Sequence, residues 1–185
     1  MNSEEINGFI EGCSKNLPGA RDETELYSRI VNTPFLHRKE TTLLGLGIVV
    51  LLLKNSADQT IDRIALSKTE HAAGAQAISV KKFEEIRIPL NAHNNVLAQV
   101  VLQDEYKFVT DWKYMFIPVL TAEEARLNQA GAAIDCSVIY PLSDYPEGGC
   151  MIFSFFEPLS KLTNAHHKFM AGYSTACAKA LGNHT

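Results

Sequence analysis

The spacing of apolar residues changes several times along this chain, and each change marks an element. Ile6, Phe9, Ile10 and Cys13 recur at three- and four-residue intervals, which predicts a helix with one apolar face. Ser3 stands where such a helix takes its N-cap. Leu17-Pro-Gly19 breaks the pattern, and Leu26, Ile30 and Val31 resume it from about Asp22 until Thr33-Pro34 interrupts, because the residue before a proline avoids helical backbone. The short front helix is expected to pack on a partner chain or on the sheet that follows. At Gly47 the rhythm turns to an unbroken Ile48–Leu53 run, which predicts a strand buried on both faces. Asn55-Ser-Ala-Asp58 is turn chemistry and Thr60–Leu66 nearly alternates, so the two strands should form a hairpin.

The Ala-rich stretch Glu70–Ser79 reads as a short helix or ordered loop, and strand patterning returns over Glu84–Leu90. Asn94 or Asn95 is placed to cap a helix over Val96–Gln103, with Leu97, Val100 and Val101 on one side. Tyr106–Thr110 reads as a short strand leading into Asp111-Trp112. The segment from Lys113 to Ala133 mixes apolar residues with Pro118 and a helical piece over Thr121–Gln129, where Thr121 and Glu124 fit a capping box. Long excursions of this kind between strands commonly form lids or pocket walls. Two more strands, Cys136–Tyr140 and Cys150–Phe156, flank a Gly-rich connection over residues 143–149. Thr163 or Asn164 then caps a last helix on which Phe169, Met170, Tyr173, Cys177 and Leu181 keep helical spacing up to Gly182.

Composition narrows the class. A chain of 185 residues can bury one core, divided here into an N-terminal helical extension (1–40) and a domain (41–185). A formal charge of −4 with scattered Lys and Arg gives no basic footprint for nucleic acid. The longest apolar run, Leu43–Leu53, is eleven residues, against the roughly 20 that span a bilayer, so no membrane partner is expected. Met1-Asn-Ser-Glu-Glu lacks the basic start and apolar core of a secretory signal, which points to the cytoplasm and to reduced thiols. Cys13, Cys136, Cys150 and Cys177 form no C-x-x-C pair. Cys136 and Cys150 fall in strands and Cys177 on an apolar helix face, where cysteine packs as a small hydrophobe.

No metal site or catalytic set follows from the residues. His166-His167 are adjacent on a helix and point about 100° apart, while His71 and His93 read as solvated loop residues. Asp111 and Asp135 flank the lid segment, an arrangement acid–base chemistry could use, but they read as surface loop or cap residues. No nucleophile elbow, P-loop or dinucleotide fingerprint is present. For the ligand pocket that the family resemblance given below implies, the candidate residues are Asp111, Trp112, Tyr114 and Phe116 at the opening of the lid, with Ser137 and Phe155 as candidate floor positions. Aromatic side chains with a polar edge suit a small planar or amphipathic ligand, although strand parity alone does not say which face Ser137 and Phe155 use.

The order of elements resembles the GAF domain family of small-molecule sensing modules. The resemblance runs from about Gly47 to Leu181 and includes Arg87-Ile-Pro-Leu90 before a helix, the lid, Ser137-Val-Ile-Tyr-Pro-Leu142, a glycine turn, Phe153-Ser-Phe155 and a closing helix with Phe169, Tyr173 and Ser174. It implies an α+β fold, with a central antiparallel sheet of about six strands, terminal helices on one face, and on the other a ligand pocket walled by Val96–Gln103 and Trp112–Ala133. It also implies a homodimer seam between terminal helices, for which Ile6, Phe9 and Ile10 with Phe169 and Tyr173 are candidates.

Particular uses of the family fit less well. Lys82-Phe83-Glu84-Glu85 is superficially similar to the Asn-Lys-x-Phe-Asp-Glu signature of cyclic-nucleotide-binding members, but lies before the third strand instead of beyond the lid. The Cys-His pair of bilin-binding members is absent, and the lid lacks the attacking cysteine of the free methionine sulfoxide reductases. Three functions remain as expectations: a non-catalytic sensory or regulatory domain for a small molecule of unknown identity, an association module with a filled pocket, and a redox enzyme on Cys136 or Cys150. The residues leave any cofactor unknown.

Overall fold

Helix α1 spans Ser3–Ser14 and α2 Glu23–Asn32, while α3 covers Arg38–Leu43 after a single tight turn over Thr33–Leu36. The cap of α1 is Asn2 and not Ser3: its side chain accepts from the Glu4 and Glu5 N–H groups, and Glu5 answers by accepting from the Asn2 N–H. One residue upstream, the amide reaches two of the free donors of the first turn. The apolar run that follows becomes β1 (Leu46–Asn55), and β2 (Thr60–Leu66) returns beside it as the expected hairpin. These coordinates come from a computed structural model that describes residues 1–184.

Helix α4 (Glu70–Ile78) follows, then β3 (Arg87–Pro89), α5 (Val96–Gln103) capped by Asn95, and β4 (Lys107–Val109). The lid segment forms α6 (Lys113–Phe116) and α7 (Ala122–Ala132), the latter carrying the Thr121/Glu124 capping box. Strands β5 (Cys136–Pro141) and β6 (Gly149–Phe155) complete a six-stranded antiparallel sheet in the order β3-β2-β1-β6-β5-β4, and α8 (Asn164–Gly182) closes the chain. Gly148, at φ +83°, takes the left-handed backbone of the β5–β6 turn that only glycine enters without strain.

Alternation along the central strands sorts their side chains to two faces. Val49, Leu51, Leu53, Cys136, Val138, Met151, Phe153 and Phe155 belong to one core, which α1, α2 and α8 cover with Ile6, Phe9, Leu26, Ile30, Phe169 and Tyr173. The Phe9 and Phe169 rings stack at 4.5 Å, and the Tyr173 hydroxyl donates to the Ile30 carbonyl at 2.8 Å. Of the residues expected to form a seam between two chains, Ile6, Phe9, Phe169 and Tyr173 are thus buried within one chain, and Ile10 is half-buried. On the other face, Ile48, Val50, Leu52, Cys150 and Ile152 meet α4, α5 and the lid.

Candidate functional site

Between the sheet and the lid lies a cavity of about 570 Å³, within the range of small-molecule sites. Its floor follows from strand register. Leu52 pairs with Arg63 on one side and Cys150 on the other, Val50 with Leu66 and Ile152, and Ile48 with Ser154, which itself pairs with Ser137. A β-bulge at Ile64 adds one residue to β2. Without it, Arg63 and Leu66 would face opposite sides, being three apart; with it both line the cavity, while Ile64 and Ala65 pack on the helix side. The floor therefore carries a cation at one end and a hydroxyl at the other, with Val50, Ile152 and Ile48 between them.

The lid is held down by polar bonds. Asn95 donates to the Met115 and Ile117 carbonyls at 2.7 Å each, and its carbonyl oxygen caps α5 by accepting from the Leu97 N–H. Trp112 Nε1–H donates to Ser137 Oγ at 2.9 Å, and Ser137 Oγ lies 2.8 Å from Ser154 Oγ. An indole only donates, so the order that strands no buried proton has Ser137 donating to Ser154. The Ser154 hydroxyl proton is then available to the cavity that Ser154 lines. The lid and α4 also meet at two glycines. A Cβ on Gly74 would stand 2.1 Å from the Gly131 carbonyl oxygen, so this helix pair requires bare backbone on both sides. Asn128 on α7 adds a bond to Ser79 at the end of α4.

Arg63 is the unusual group. Its guanidinium lies 4.1 Å from the Phe83 ring centre and 5.3 Å from that of Phe116, a cation–π clamp. Its Nε is buried with no hydrogen-bond partner, and among the described residues no carboxylate pairs with it. Burial without a counter-charge pulls its pKa down from the ordinary arginine value to about 9. The group remains a cation at neutral pH, and is held at some cost to the fold. Glu84 and Glu85 line the mouth but are exposed, as are Lys81 and Lys82.

Of the residues expected from sequence, Trp112 and Phe116 line the cavity, and Ser137 supports its floor from beneath Trp112. Tyr114 points away from it, half exposed, with the Lys113 ammonium over its ring. Asp111 sits on the outer edge of the lid, bonded to Arg126 Nε at 2.9 Å and to the Lys113 N–H at 3.0 Å. Burial raises its pKa, but these bonds outweigh that and leave it lowered. Phe155 lies on the opposite face of the sheet, against His166 of α8, because its parity in β6 is that of Phe153 and not of Ser154. Neither Asp111 nor Asp135, which is exposed, lines the cavity.

Other expectations also change. The wall assigned to α5 is supplied by Ala75, Gln76 and Ser79 and by residues 80–85, while Leu97, Ala98 and Val100 of α5 pack in the core beside it. His71 is no solvated loop residue: its Nδ1 lies 2.7 Å from the Ala132 carbonyl and its ring stacks on Phe156. Sequence reading passed over Arg63 and Ser154, and treated Phe83 only as part of a motif. The available signal was an arginine two residues from the buried Ile61, on the same face of a half-buried strand. All four thiols are buried and free. Burial pushes each one's pKa up, to about 11 for Cys136 and further for the others, so none is an activated nucleophile.

No family sequence model matches the chain, and no curated protein matches it in sequence. Solved structures match it in shape. The GAF domain of a phosphoenolpyruvate-protein phosphotransferase from Coxiella burnetii superposes with a TM-score of 0.67 at 11% identity, over 99% of this chain and 96% of that one. The GAF domain of an Acinetobacter phosphoenolpyruvate-protein phosphotransferase gives 0.64 at 8% identity, over 99% and 96%. A bacteriophytochrome from R. palustris gives 0.61 at 8% identity, matching all of this chain to 38% of that protein. With its sheet order and helix placement, the chain has the GAF fold. Identities this low carry the architecture and nothing finer.

Proposed function

We propose that this chain is a non-catalytic sensory or regulatory domain that binds a small molecule between its sheet and its lid. The observation that carries the reading is the cavity itself: about 570 Å³, floored by apolar strand residues and roofed by Trp112 and Phe116. An association module with a filled pocket would have no such space. Redox chemistry on Cys136 or Cys150 would need an exposed, acidified thiol, and both are buried with pKa raised. The soluble cytoplasmic setting expected from sequence suits such a role, and among the described residues no helix is long and apolar enough to cross a membrane.

Ligand state has a short route to the rest of the fold. Ser154 and Ile152 face the cavity, while Phe153 and Phe155 alternate with them toward α8. A ligand that shifts β6 therefore acts on the terminal-helix layer directly. A homodimer built on those helices would use their outer faces, since Ile6, Phe9, Phe169 and Tyr173 are spent inside the chain.

A thermal-unfolding screen against nucleotides, amino acids, organic acids and tetrapyrroles tests the reading, because a ligand that binds only the native state raises stability by RT ln(1 + [L]/Kd). At least one class should raise the Tm, and Ala75→Phe, which fills the cavity from α4, should abolish the shift while the variant stays folded. A shift that persists undiminished in Ala75→Phe would move the binding elsewhere on the molecule.

A further inference from the structure

The geometry points to an anionic ligand: we infer that Arg63 is the anchor for a carboxylate or phosphate group on a small, mostly apolar molecule held in this cavity. The inference rests on the proposed ligand-binding role and narrows it to a chemical class. Three observations carry it. Arg63 lines the cavity, yet among the described residues it makes no ion pair and no hydrogen bond, and its Nε is buried and unpartnered. The residue as a whole is half-buried, and a cation whose Nε is enclosed without a partner destabilises a fold and is normally compensated. Regular pairing from Ile61 to Arg63 puts it on the inward face of β2, and its guanidinium lies over the Phe83 ring and near that of Phe116. A guanidinium held this way keeps its N–H fork free for two parallel bonds to an oxyanion.

The rest of the cavity fits the remainder of such a molecule. From the Arg63–Leu52 row to the Ile48–Ser154 row is four residues of β1, roughly 14 Å at 3.4 Å per residue. That span is apolar at Val50 and Ile152 and ends at the Ser154 hydroxyl. A ligand with an acid at one end, an apolar body, and a hydrogen-bond acceptor at the other would satisfy each group in turn. Because Phe116 touches both Arg63 and Trp112, pairing of the guanidinium would be felt by the lid.

Adamantane carboxylate, adamantyl phosphate and the neutral adamantane carboxamide, offered to the full chain in thermal unfolding and calorimetry, test this directly. At least one of the two anions should raise the Tm, with the carboxamide having little effect; which anion acts tells a carboxylate site from a phosphate site. Arg63→Met should weaken the anion at least about tenfold, the loss of one charge-assisted hydrogen bond. Without any probe it should melt no lower than the wild type, because it removes an uncompensated cation. Arg63→Lys should give intermediate affinity.

The inference is overturned if neither anion acts, if the carboxamide binds as well as the anions, or if Arg63→Met keeps the anion. It is also overturned if unliganded Arg63→Met melts lower, which would make Arg63 a structural clamp between two aromatic rings. If the carboxamide matches the anions and Ala75→Phe abolishes both, the ligand-binding role stands and only the anion assignment falls.

Discussion

His166 shows how single residues divide the labour in this molecule. Its Nδ1 accepts from the Thr163 N–H at 2.9 Å, which puts the proton on Nε2, and Nε2–H donates to the Leu44 carbonyl at 3.0 Å. Burial lowers its pKa from 6.5. A base whose folded pKa is depressed contributes stability that is complete above its unfolded value and lost as pH falls through the folded one. The Tm should therefore hold above about pH 6.5 and decline below it, and His166→Gln, whose amide can both accept and donate, should flatten that decline in unfolding scans across this range. A decline unchanged in His166→Gln would assign it to other groups. Sequence spacing located this residue in the first turn of a helix but not its bonds, since Leu44 is far away in the chain. Arg63 was hidden for a related reason: alternation put it on the face of Ile61, but what that face meets, and that no carboxylate meets the guanidinium, depends on residues distant in the chain.

At the scale of elements, most of the fold was legible. The unbroken apolar run gave β1, the turn chemistry gave the β1–β2 hairpin, and Asn95, Thr121 and Thr163 stand at the caps their side chains suggested. Strand faces were not, because alternation separates two sets of residues without saying which set meets the helices; Phe155 went to the wrong face for this reason. Pairings between helices were equally hidden, and the Gly74–Gly131 contact is the clearest example. Gly74→Ala gains about 1 kcal/mol of helix propensity but drives a methyl into the Gly131 carbonyl, at about 1–3 kcal/mol or more. The clash wins, so the variant should be less stable in urea and should bind cavity ligands more weakly as the wall shifts. Gly8→Ala, in exposed α1 with nothing within 4 Å, should instead gain about 0.5–1 kcal/mol. Equal effects at both positions would mean that the α4–α7 approach is looser than described.

The whole molecule is one sheet serving two unlike faces. One face is covered by the terminal helices with aromatic packing; the other is roofed by a lid that is bonded down at its edges yet leaves a cavity containing an unpaired cation. Under the proposed role, the face that holds the cavity is the one a ligand would act on. Trp112 is the only tryptophan in the chain and forms part of the roof, bonded to Ser137, so its fluorescence reports on the cavity without any label. The most direct measurement is a titration of the wild type, Ala75→Phe and Arg63→Met with adamantane carboxylate, which does not itself absorb where tryptophan does, followed by Trp112 emission. A saturable change in the wild type that is lost in Ala75→Phe and weakened at least about tenfold in Arg63→Met is the result predicted. Binding heat in the wild type with Trp112 emission unmoved, or an equal response in all three proteins, would contradict it.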